Sequence, residues 1–165
     1  MNHLMRALDE VDYLLLAFLQ KKVVRPAQLS EKLKKHGHEL GANACRKRIE
    51  DLEREGFIKR YVAILDPAEL DLFLACFILV GIGEKDEEAV RVFKEKFLAD
   101  DRVLEFHEVL GRCDFLLKVR VSNNEQALQF SQDLKPFVGT VETIIGGKVH
   151  KENTELPLRV LDTIK

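Results

Sequence analysis

Tryptophan is absent from these 165 residues, and tyrosine and methionine occur only twice each. The bulky apolar material is ten phenylalanines plus the aliphatics, so the core is built mostly from side chains that bring no polar group with them. Cysteine is scarce as well. Cys45, Cys76 and Cys113 are odd in number and widely spaced, and two lie inside apolar segments, which excludes a disulfide framework and fits reduced thiols in a cytoplasmic protein. No apolar run reaches the roughly 18 residues that cross a bilayer. Residues 1–6 lack the basic start and apolar stretch of a secretory signal, so neither membrane nor export is expected. No repeat or low-complexity stretch interrupts the chain. Net charge is also small, at −2, but it is unevenly divided. Residues 1–66 hold 13 Lys+Arg against 10 Asp+Glu, and residues 67–165 hold 13 against 18. Only the front part is suited to meet a polyanion.

The front part has the spacing of three helices. Leu8, Val11, Leu14, Leu15 and Phe18 recur at helical intervals, with Asp9 placed as a cap. Pro26 suits a first helical position, Leu29 and Leu33 follow four apart, and Gly37 offers a stop. Cys45, Ile49 and Leu52 mark the third helix, which Gly56 ends. Residues 57–65 turn β-like, with Ile58, Tyr61, Val62, Ile64 and Leu65, and Asp66-Pro67 closes the run as a linker strand.

Strand and helix alternate in the back part. Strands are expected at 72–80, 103–110, 114–121 and from 140, and helices at 87–98 and 125–134. Gly111-Arg112-Cys113 forms a tight turn, and Gly146-Gly147 bends or interrupts the last strand. The order βαββαβ is ferredoxin-like. The predicted fold class is therefore α+β: a helix-turn-helix domain at 1–56, a linker strand at 57–70 and a ferredoxin-like domain at 71–165. Both helices of such a domain cover one face of the sheet. Yet the first strand is apolar on both faces, with Leu72, Leu74, Cys76, Ile78 and Val80 on one and Phe73, Ala75, Phe77 and Leu79 on the other. Leaving one row in water would forfeit about 1.5–3 kcal/mol per large side chain. A second copy of the sheet is the economical cover, with the row from Leu72 to Val80 taken as the dimer face. The alternative cover is the C-terminal tail, residues 156–164.

On the third helix, Cys45, Ile49 and Leu52 point inward, so Asn43, Lys47, Glu50 and Arg54 point away, with Arg46 on the shoulder. This set suits the major groove of double-stranded DNA: Asn for adenine, Arg or Lys for guanine, Glu for the cytosine amino group. Lys59 and Arg60 are placed to hold flanking phosphates, and Arg48, Lys32, Lys34 and Lys35 widen the basic surface. The competing reading is a solvated face with pairs to Glu50, Asp51 and Glu53. The tri-helical layout, the charge split and the basic segment that follows favour DNA.

The segments LDEVDYLLLAFLQ, PAQLSEKL and ANACRKRIEDLEREGFIKRYVAILDPAELDL resemble the winged helix-turn-helix and linker of the Lrp/AsnC transcription regulators. HEVLGRCDFLLKVRV, with its G-x-x-D-[FY] core, resembles the effector domain of that family. The likeness runs from about Leu8 to Lys151. It departs at KKHGHELG, three or four residues longer than the usual turn before the recognition helix, and at Gly41-Ala42, where Ser and Pro are common. His36 and His38 in this turn read as loop histidines rather than a metal pair, and no metal is expected.

The resemblance implies a sequence-specific regulator, a homodimer able to assemble into tetramers or octamers, and a small-molecule effector, such as an amino acid, bound near subunit interfaces. Carried over by motif, the effector residues are Gly111, Arg112, Cys113 and Asp114, with hydroxyls from Thr140 and Thr143. Asp114 would meet an ammonium group and Arg112 a carboxylate. The competing view makes this segment a plain hairpin turn. No other cofactor is expected. Cys113 with His107 as base would suit a thiol nucleophile, but no third orienting group accompanies them. Two further alternatives are decarboxylases of alternative haem biosynthesis, which resemble this architecture but carry a His-Asn-Tyr segment and Trp, and a weakly specific chromatin-like DNA binder.

Overall fold

The computed structural model describes residues 6–22, 25–84 and 87–158. The chain divides into two compact units, Met1–Ala63 with Glu152–Lys165, and Ile64–Lys151. Unit 1 holds α1 (Glu10–Lys21), α2 (Pro26–Lys35) and α3 (Ala42–Arg54). Asp9 caps α1 by accepting from the Asp12 N–H at 2.8 Å, while the Asp12 carboxylate accepts from the Asp9 N–H, a reciprocal capping box. Pro26 begins α2, where its missing N–H costs nothing. Gly56, at φ +81°, ends α3 in the left-handed conformation that a side chain would strain. Leu14, Leu15, Phe18, Leu29, Leu33 and Cys45 form the core of this unit.

Unit 2 contains β1 (Leu74–Gly81), α4 (Glu87–Leu98), β2 (Val103–Glu108), β3 (Phe115–Val121), α5 (Asn124–Leu134) and β4 (Thr140–Ile145). The strands form one antiparallel sheet in the order β2-β3-β1-β4, the ferredoxin-like arrangement. Phe93, Phe97 and Phe130 descend from the helices onto Ile78, Val80, Leu117 and Val119 of the central strands. Phe93 meets Phe106 and Phe115, and Phe97 meets Phe130 and Phe137, in tilted or edge-on contacts.

Three expectations are corrected. Cys76, Ile78 and Val80 are fully buried beneath the helices and Leu74 packs against the same core, so this row is not the dimer face. The uncovered face is the alternate row, on which Phe73, Phe77 and Ile144 are 59 %, 36 % and 43 % exposed. Leu72, half-buried, precedes β1 and has no place on that face. Residues 57–65 are extended but pair with no strand among the described residues, so the linker is not a strand here. The tail does not belong with the sheet domain. Its backbone at Leu156 is held by α1: the Leu156 N–H donates to Gln20 Oε1 at 2.6 Å and Gln20 Nε2 donates back to the Leu156 carbonyl at 3.3 Å. Residues 159–164 of the tail lie outside the described residues.

Candidate nucleic-acid interface and effector region

The outward face of α3 is built as its periodicity predicts. Cys45 and Leu52 are buried against α1 and α2, and Asn43, Arg46, Lys47, Glu50 and Arg54 are exposed on the other side. Arg54 lies 2.6 Å from Asp51, but a pair this open to solvent is weak and leaves the guanidinium able to turn to a phosphate. Lys59 and Arg60 are exposed on the extended segment that follows.

Arg48 is the exception. Its guanidinium donates to Asp9 at 2.6 Å and Asp12 at 2.9 Å, so it fastens α3 to the start of α1 rather than reaching for DNA. Asp12, whose side chain is 0 % exposed, also accepts from Arg6 at 2.8 Å, and Arg6 reaches on to Glu55. Burial pushes the Asp9 carboxyl up, but the Asp12 N–H and Arg48 outweigh it and hold the group below its ordinary range. Nothing in the apolar periodicity singled out Asp12. The available signal was a carboxylate four residues after Leu8, on the side of α1 that turns inward.

The long turn before α3 is anchored. Leu40 packs partly into the core, and its carbonyl accepts from Ser30 Oγ and from the Cys45 thiol. His36 lies against the Phe18 ring, and His38 stands 3.8 Å from Glu10. Among the described residues no group of three or more His, Cys, Asp or Glu is arranged to hold a metal. Behind α3, Tyr61 donates its hydroxyl to Glu53 at 2.9 Å. Burial, and then the Glu53 hydrogen bond, push its phenol up to about 12. This contact ties residues 59–61 to α3, and the sequence reading had assigned Tyr61 only to a strand.

The effector residues are not gathered in one place. Asp114 Oδ2 accepts from the Ile82 N–H at 2.7 Å while the Asp114 N–H donates to the Val80 carbonyl, so this residue laces β3 to the end of β1. Arg112 pairs with Glu142 at 3.3 Å on the uncovered side of the sheet. Gly111, at φ +153°, makes a bend that other residues rarely adopt. Thr140 is exposed and shares a strand face with Glu142, whereas Thr143, an odd number of residues on, faces α5 and meets Ser131 Oγ at 2.7 Å. His107 is 3.2 Å from Glu105. Cys113 is half-buried, and Cys45 and Cys76 are buried with their thiols pushed up by desolvation.

Residues 75–156 match the family described as the Lrp/AsnC ligand binding domain. Over almost the full chain, the protein is 31 % identical to an HTH-type transcriptional regulator of Pyrococcus horikoshii, covering 92 % of this chain and 97 % of that one. It is 32 % identical to the glutamate uptake regulatory protein of Zymomonas mobilis, covering 94 % and 93 %. Among solved structures, a transcriptional regulator of Neisseria meningitidis in complex with L-Met superposes with a TM-score of 0.84 at 27 % identity, covering 94 % and 99 %. These relatives are regulators, and the decarboxylase reading falls with the thiol nucleophile. From the order of its motifs to its sheet topology and its relatives, the chain belongs to the Lrp/AsnC family of DNA-binding transcription regulators.

Proposed function

We propose that this cytoplasmic regulator reads its operator through Asn43, Arg46, Lys47, Glu50 and Arg54, with Lys59 and Arg60 on flanking phosphates. The exposed polar row on α3, opposite its buried Cys45 and Leu52, carries the reading. Arg48 is excluded from the contact set because two carboxylates already hold it.

The uncovered sheet face supports presentation of two such helices. Phe73, Phe77 and Ile144 lie open on it, and pairing with a second copy removes them from water. Larger assemblies of dimers, tetramers or octamers, would multiply the helices along the DNA. An amino-acid effector fits the ligand of the Neisseria relative and the domain family, and acts by shifting the assembly's geometry and so the spacing of the helices.

Selection of bound sequences from random DNA, repeated with a mixture of amino acids, tests the reading. A pseudo-palindromic site whose occupancy changes with the mixture is the expected result. Enrichment of no sequence would replace this account with the weakly specific, chromatin-like binder.

A further inference from the structure

We infer that the groove between α5 and β4 is a binding site for a free α-amino acid with an uncharged side chain of medium length. The inference rests on the effector-responsive reading above and assigns the effector to a place other than the 111–114 turn. The groove encloses about 360 Å³, within the range of small-molecule sites. Its walls are Ala127, Leu128, Val141 and Ile145, and its polar groups are Asn124, Ser131, Gln132, Lys135 and Thr143.

The hydrogen bonds at the floor fix what can sit there. Ser131 Oγ donates its proton to the Ala127 carbonyl at 2.9 Å, so in the 2.7 Å contact with Thr143 it is Thr143 that donates. Thr143 Oγ1 then offers the groove acceptor lone pairs and no proton. A ligand donor belongs beside it, and an ammonium group fills that role. Lys135 lies four residues after Ser131, one turn along the same face, and has no carboxylate partner among the described residues. It suits the carboxylate of the same ligand.

Because β4 returns antiparallel to α5 after a short connection, Asn124, Leu128 and Ile145 lie toward the other end. Leu128 and Ile145 are 60 % and 48 % exposed, so an apolar ligand side chain covers surface now in water. The polar side chains of α5 outside the groove are engaged: Gln126 accepts from the Ser122 N–H, and Gln129 donates to Asp133. Those of Asn124, Gln132 and Lys135, which line it, have no hydrogen-bond partner among the described residues.

Isothermal titration of the full chain with L-methionine and L-leucine tests the site. Lys135→Met and Thr143→Val are each expected to weaken binding about tenfold or more, the scale of one charge-assisted hydrogen bond. Arg112→Ala is expected to leave it within about twofold. N-acetyl-L-methionine, which lacks the ammonium group, should not bind. Lys135 is exposed, so Lys135→Met keeps the test valid if Thr143→Val proves misfolded by circular dichroism. Wild-type-like binding by Lys135→Met, with loss in Arg112→Ala, would overturn the groove and return the effector to the turn. Failure of the wild type to bind any standard amino acid would instead overturn the effector reading itself.

Discussion

Replacing Asp12 by Asn should loosen the helix-turn-helix unit while leaving the sheet domain untouched. The native carboxylate is fully buried and accepts from Arg6, Arg48 and the Asp9 backbone. An Asn of the same shape can satisfy one guanidinium, but its amide NH₂ then opposes the other, donor against donor. Breaking a buried ion pair costs about 3–5 kcal/mol. Arg48 is 30 % exposed and keeps Asp9, so the loss assigned to Asp12 falls to about 2–3 kcal/mol after solvent screening. A unit of this size holds roughly 3–9 kcal/mol in all, and its Tm should fall by about 10–20 °C.

The composition supplies a selective probe. Both tyrosines, Tyr13 and Tyr61, lie in unit 1 and the chain has no tryptophan, so tyrosine fluorescence follows that unit alone while circular dichroism follows both. The melt by fluorescence should shift and the remaining transition should not. A double-mutant cycle with Arg48→Met should be strongly non-additive. An unshifted fluorescence melt, or simple additivity, would refute the claim that Asp12 fastens α3 to α1.

Changing Arg46 and Lys47 to Ala should weaken DNA binding, lowering the slope of log affinity against log salt by about 2 if both meet phosphates, with the tyrosine melt unchanged; an unaltered slope removes them from the contact set. Tyr61→Phe should abolish the component of phenolate absorbance that titrates near 12. Because the folded-state phenol titrates above the unfolded one, the stability from its bond to Glu53 is complete below the ordinary tyrosine range and fades as pH rises toward that value; equal alkaline unfolding of the two proteins would contradict this. Finally, Phe77→Asp should leave a folded monomer in light scattering, whereas Ile78→Asp, one residue on, should not fold at all. An intact dimer of the Phe77 variant would exclude the uncovered face as the interface.

Local signals served well where one residue type met one local requirement. Asp9 caps α1, Pro26 opens α2, Gly56 closes α3, and the alternation of period two and period 3.6 located every strand and helix of unit 2 within a few residues. They failed where both choices were equally apolar. Residues 72–80 are hydrophobic on both faces, so their sequence cannot say which row the helices cover; Phe93, Phe97 and Phe130 decide that by packing on Cys76, Ile78 and Val80. The separation of Thr140 from Thr143 was legible, since an odd spacing on a strand divides them between faces, but the shared motif drew them together.

The amino-acid sequence by itself determined the order of elements, the polar face of α3 and the family, because capping, periodicity and motif spacing are written in neighbouring residues. Tertiary structure alone decided that Arg48 is spent on Asp9 and Asp12, that Asp114 holds the end of β1, that Gln20 grips the tail and that Ser131 and Thr143 meet in a groove. Each of these is a contact between groups far apart along the chain or on different elements. A charged or hydroxyl side chain has no fixed partner until folding brings one within hydrogen-bond reach.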